Sequence, residues 1–165
     1  MRTAAVRQEL LTSNDKDLNK RRRIMQLSAV GIADFAFVSL YQAGAINRLP
    51  ELPFDVFDSN KVNAAPDAYK MGAPDAAIST LLYAAGMVLA TWGGTAASGR
   101  KPVHDVALGA VIAGNAGGAV YYISKMIFRQ ERACPYCIVG AAINIVSAVI
   151  IAPTVAKAFK KLFEK

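Results

Sequence analysis

Four apolar stretches divide this chain, at about residues 24–46, 75–96, 103–124 and 134–156, and most of the charge lies between or beyond them. Each is long enough to form the ~20 residues of helix that cross a bilayer's hydrocarbon core. The pattern predicts an all-α, integral membrane four-helix bundle over residues 24–156. Residues 1–23 read as a polar, flexible tail, and residues 157–165 as a short basic one.

Composition supports the membrane reading. Of 165 residues, 54% are hydrophobic and 19% charged, against a usual quarter charged in soluble domains. A soluble bundle is the alternative. The Ala- and Gly-rich second and third stretches are the least hydropathic, but small residues are what membrane helices use to pack closely. No small-residue cleavage signature follows the first apolar run, so the expectation is an uncleaved anchor.

Charge sets the orientation. With the N-terminus inside, the inner face receives Arg2, Arg7, Lys16, Lys20, Arg21, Arg22 and Arg23 from the tail. Arg100 and Lys101 join from the turn between spans two and three, and Lys157, Lys160, Lys161 and Lys165 from the C-terminus. The outer face receives only Arg48, Lys61, Lys70, Lys125, Arg129 and Arg132. Basic residues favour the cytoplasmic side, so both termini are expected there, in a membrane such as the bacterial inner membrane. The net charge of +7 is then an orientation signal, and no nucleic-acid partner is expected.

Between the first two spans lies NRLPELPFDVFDSNKVNAAPDAYKMGAP, an outer segment too long for mere connection. Pro66 suits the start of a short helix ending at Gly72, and Pro74-Asp75 the start of the second span, with the Asp carboxylate at the positive end of the helix dipole. The segment reads as a partly helical extracytoplasmic flap. His104 lies in the inner turn GGTAASGRKPVHD, on the opposite face from both cysteines, and is expected on the surface without chemistry.

Both cysteines stand in ACPYCIVGAAINIVSAVI, where the fourth span begins. Pro135 fits a first helical position, so Cys134 and Cys137 share a face one turn apart, within reach of a disulfide. The helix N-terminus, with Arg129 and Arg132, is expected to favour a thiolate. Cys134 is expected nearer the water, and Cys137 deeper in the bundle. A lone C-x-x-C also fits half a zinc site, but structural zinc takes four ligands. No other Cys exists and the single His is across the membrane, so no metal is assigned.

The C-x-x-C at the head of the last helix, VSLYQAGAI in the first span and the stretch FDSNKVNAAPDAYKMGAPDAAISTLLYAAG together resemble the vitamin K epoxide reductase family. The resemblance covers about residues 24–156. It implies a quinone-dependent thiol oxidoreductase, with a quinone of ubiquinone or menaquinone type among the helices. Cys137 would be the quinone-side thiol and Cys134 the thiol that exchanges with a thioredoxin-like extracytoplasmic partner. The chain also departs from the family pattern. The outer loop lacks the two further cysteines, with Phe57 or Asp58 near the first expected position and the 63–65 region near the second. Ala141 stands where several members carry a tyrosine.

Within the spans, Asp34 is an ionisable group at membrane depth, a functional candidate by default, with Asn115 and Asn144 as candidate partners. Asn144, two turns below Cys137, is a candidate to bind the quinone, and Phe54, Phe57 and Tyr69 of the flap are candidates to cover its ring. A rival from another class is a non-catalytic membrane binding or scaffold subunit on the same fold, its cysteines structural or vestigial.

Overall fold

Asp15 starts the first long helix: its carboxylate Oδ1 accepts the Leu18 N–H at 2.7 Å, satisfying a donor that the first helical turn leaves free. In a computed structural model, which describes residues 2–92, 94–95 and 99–163, this helix is one of six. The helices are α1 (Arg2–Thr12), α2 (Lys16–Gln42), α3 (Ser59–Asn63), α4 (Asp75–Thr91), α5 (Pro102–Lys125) and α6 (Pro135–Phe163). A 3-10 turn follows α3 at Pro66–Tyr69, and a π-helical turn, Met126–Gln130, extends α5. Gly93, Ala96, Ala97 and Ser98 of the inner turn, and Lys165 of the basic tail, lie outside the described residues.

Among the described residues, three helices are long and apolar enough to cross a membrane: α2, α5 with its π-turn, and α6. Only 22%, 17% and 39% of their most apolar stretches are buried. Large apolar side chains such as Val30, Leu81, Val120 and Val149 face outward. A soluble bundle hides such residues; this one presents them to its surroundings, as a protein in lipid does. α4 is apolar but has only 17 residues. It stops at Thr91, short of the 96 expected from hydropathy, because two guanidinium groups take its last carbonyls. Arg21 Nη1 donates to Ala90 O at 2.9 Å, and Arg100 Nη2 to Leu89 O at 3.2 Å.

α2 packs against α4 and α6, and α5 against α4 and α6, giving a four-helix bundle. Gly140 lets α2 approach α6, since a Cβ there would meet the Phe35 ring at 2.3 Å. Ile24, Ala90, Leu108, Ile112 and Ile151 form the core at the end away from the cysteines.

The first 23 residues are not the flexible tail their polarity indicated. α1 is helical, and α2 begins at Lys16 rather than at residue 24. Side chains tie the two together: Arg22 donates to Leu10 O, and to Ser13 O at 3.0 Å. His104 is half-buried rather than on the surface, its ring 6.2 Å from that of Trp92.

The loop after α2 is partly helical, as its prolines indicated. Pro66 opens the 3-10 turn, and Gly72, at φ +78°, takes the left-handed conformation soon after it. The loop is fastened to the approach to α6 by one parallel bridge, with Ala133 N donating to Val56 O (2.8 Å) and Asp58 N to Ala133 O (2.9 Å).

Candidate functional site

Pro135 begins α6, so Cys134 is the residue just before the helix and Cys137 sits in its first turn. The Cys137 N–H points at Cys134 Sγ, 3.2 Å away. The pair therefore shares a face with the sulfur of Cys134 at the helix's positive end. Both thiols are free.

Cys134, expected nearer the water, is enclosed instead. Cys134 is fully buried, at 0%, because α3 lies over it. Asn63 Nδ2 donates to Cys134 Sγ at 3.3 Å, and the Cys134 N–H points to Met126 Sδ at 3.1 Å. Cys137 is half-buried and lines an apolar cavity of about 250 Å³. The loop folds back onto Cys134 instead of standing away from it, and this leaves Cys137 as the thiol with open space beside it.

The cap is held at several points. Glu51 accepts the Ser59 N–H at 2.6 Å and the Ser59 hydroxyl at 2.9 Å. Asn60 Oδ1 accepts the Leu49 N–H at 2.8 Å. Gln42, at the end of α2, is a hub that sequence reasoning missed. Its Nε2 donates to Asp75 Oδ1 (2.7 Å) and Asn63 O (3.2 Å), and its Oε1 accepts the Ala76 N–H (3.2 Å).

Hydrogen bonds set the acidity of Cys134. The Cys137 side chain has the largest effect, and the Cys137 N–H, Asn63 and Ser59 add to it. Together they outweigh burial and bring the Cys134 thiol down to about 7. Arg129 and Arg132, expected to support a thiolate, are engaged elsewhere. Arg129 pairs with Asp67 at 3.2 Å, and Arg132 donates to Asp55 O.

The cavity lies among α4, α5 and α6, with Phe35 of α2 on one wall and Val62, Asn63, Ala68 and Met71 from the loop above. Most of its lining is apolar; Asn115, Asn144, Ser79, Tyr122 and Gln130 supply neutral polar groups, Asp67 and Asp75 carboxylates, and Cys137 a sulfur. Asn144 is buried and lines it. Phe54, Phe57 and Tyr69 do not. Phe54 is 62% exposed, Phe57 sits in the bridge to Ala133, and the Tyr69 hydroxyl turns to Gln42 O at 3.2 Å. The covering side chains are Met71 and Ala68 instead, because the 3-10 turn aims Ala68 inward.

Asp34 is not joined to Asn115 or Asn144. It makes no side-chain hydrogen bond among the described residues, and its Oδ2 is buried without a partner. The nearby Tyr83 hydroxyl donates to Gly140 O at 3.1 Å. Among the described residues, no cluster of three or more His, Cys, Asp or Glu is placed to hold a metal ion.

A mostly apolar cavity with a few placed polar groups is how a small-molecule site is built. Together with the outward-facing apolar helices, it defines a helical membrane protein carrying a dithiol beside a ligand-sized pocket. The family model described as "Vitamin K epoxide reductase family" matches residues 23–152. The chain belongs to that family, and membership implies a membrane redox function. No individual curated protein matches the chain. Sequence reasoning passed over Asn63, although it stands in the segment where the family pattern expects the second loop cysteine.

Proposed function

We propose that this protein is a quinone-linked membrane thiol oxidoreductase working through Cys134 and Cys137, with both termini on the cytoplasmic side of a membrane such as the bacterial inner membrane. The observation that carries the reading is that Cys137 lines the apolar cavity while the sulfur of its neighbour, Cys134, accepts hydrogen bonds that favour its thiolate. The cavity suits a quinone: its walls are mostly apolar, and Asn115, Asn144, Ser79 and Tyr122 offer donors to carbonyl oxygens, with the carboxylates of Asp67 and Asp75 also on its lining.

When bound, a quinone supplies an acceptor for two electrons and two protons. The chain supplies the rest. Forming the Cys134–Cys137 bond breaks two S–H bonds and releases two electrons and two protons. Asn63 and the Cys137 N–H stabilise the thiolate at Cys134, and the loop covers one side of the cavity that Cys137 lines. Regenerating the dithiol requires two outside thiols: the first forms a mixed disulfide with Cys134 and frees Cys137 as a thiol, and the second displaces Cys134 and leaves joined to the first as a disulfide. A thioredoxin-like extracytoplasmic partner fits that step, and α3 has to lift from Cys134 for it to occur.

The burial of Cys134 favours a second reading, a binding or scaffold subunit whose cysteines only pack. Thiol trapping separates the two. Membranes holding the full chain are treated with a ubiquinone or menaquinone analogue, and free thiols are then alkylated and counted by mass. The redox reading expects both thiols to disappear on quinone addition, and Cys137→Ala to abolish the response. A pair that stays reduced with every quinone tried would leave the scaffold reading.

A further inference from the structure

At the end of the bundle opposite the cysteines, the first turns of α2 and α5 and the last turns of α6 enclose a second, polar cavity of about 100 Å³. Arg21, Arg100, Lys157 and Lys161 line it, together with Asp15, Asp17 and Asp105. Each carboxylate is already engaged. Asp15 caps α2, Asp17 holds Lys20 at 3.3 Å and Lys157 at 3.9 Å and accepts the Thr154 hydroxyl at 2.8 Å, and Asp105 pairs with Arg100 at 2.7 Å.

Arg21 is different. It is 2% exposed and forms no ion pair among the described residues. Nη1 and Nη2 donate to the neutral carbonyls of Ala90 (2.9 Å) and Gly94 (2.6 Å), while the buried Nε–H has no partner. A buried cation without a directly paired anion is costly. Beside it, Lys161 is an exposed cation with no ion pair among the described residues.

We propose that this cavity binds a phosphate-type oxyanion, with Arg21 as its floor and Lys157 and Lys161 as its mouth. The Arg21 charge has no ion pair to offset it, and a phosphate's charge would supply one; because its Nε–H is enclosed, the direct donors to phosphate oxygens are the ammonium groups of Lys157 and Lys161. The N-termini of α2 and α5 add positive potential from two sides. The site sits where these helices end, with Phe159, Leu162 and Phe163 exposed on the last turns of α6. It can therefore draw its phosphate from the headgroup of an anionic phospholipid or from free anion.

The test uses the full chain. In neutral detergent, inorganic phosphate is titrated against chloride at matched ionic strength. In parallel, the protein is placed in phosphatidylcholine nanodiscs with and without phosphatidylglycerol. Thermal unfolding and native mass spectrometry read the binding. Stabilisation by either probe, weakened about tenfold in Arg21→Gln, is the expected result. Because Arg21 also caps α4, a Lys157→Gln/Lys161→Gln variant, altered only at exposed side chains, carries the test should the first variant fail to fold. Response to phosphatidylglycerol alone assigns the site to lipid, response to inorganic phosphate alone to free anion, and response to both to the shared phosphate group. Absence of response to either probe, or a response equal in the lysine variant, overturns the proposal.

Discussion

Replacing Asn63 by Ala tests how the acidity of the buried cysteine arises. The change removes the Nδ2–H donor 3.3 Å from Cys134 Sγ. A hydrogen bond to a charged group is worth about 1.5–3 kcal/mol, and 1.36 kcal/mol corresponds to one pKa unit. Burial opposes charge on this sulfur throughout, so the low end of that range applies, and the thiol should rise from about 7 by about one unit. The sign follows: thiolate present above neutrality in the wild type is lost as pH falls through 7, and in the variant it is lost nearer 8. Near pH 7.5 the thiolate fraction therefore drops about threefold. The measurement is thiolate absorbance near 240 nm against pH, in a Cys137→Ser background that leaves one sulfur and keeps a donor at position 137. Alkylation rate is the wrong readout, because α3 covers Cys134 and the rate would report the opening of the cap. A midpoint unchanged to within a few tenths of a unit, in a variant that stays folded, would refute the assignment of Asn63 as a donor to the thiolate.

Three further outcomes are expected. Glu51→Gln weakens the two bonds that hold Ser59, so maleimide labelling of Cys134 should accelerate about tenfold while the unfolding midpoint moves by only a few degrees; equal labelling rates would mean that the cap does not gate access. Gly140→Ala forces a Cβ against Phe35 and should cost about 1–3 kcal/mol, read as a fall in unfolding temperature, whereas Gly117→Ala, with nothing within 4 Å of its added carbon, should be neutral or slightly stabilising. With α3 closed, a small apolar maleimide should modify Cys137 before Cys134, as mass mapping of the singly labelled chain would show; the opposite order would contradict the burial pattern.

The pattern of apolar stretches located the four principal helices because in lipid a helix advertises itself by length and hydropathy alone. Pro135, Pro66 and Asp75 marked starts that the structure keeps, since each acts on its own backbone. The misplaced features depend on distant partners. α2 starts early because Asp15 caps it, and α4 stops early because Arg21 and Arg100 reach it from other helices. The burial of Cys134 depends on Asn63 and Ser59, about seventy residues away, and nothing in the C-x-x-C spacing encodes which thiol the loop will cover. Asn144 was legible as an intramembrane amide. The aromatics of the loop were not, because their facing depends on the bridge between Phe57 and Ala133.

The shortness of α4 has a consequence for where the protein can reside. Its 17 residues rise about 26 Å, against a hydrocarbon thickness of about 30 Å. Its neighbours exceed that thickness, so one flank of the molecule is too short for the lipid that the other flanks match. Thinning of the leaflet beside α4, with headgroups drawn toward the arginine-capped terminus, is one way to meet that mismatch. Such mismatch costs fractions of a kcal/mol per Å and should bias the protein toward thin bilayers.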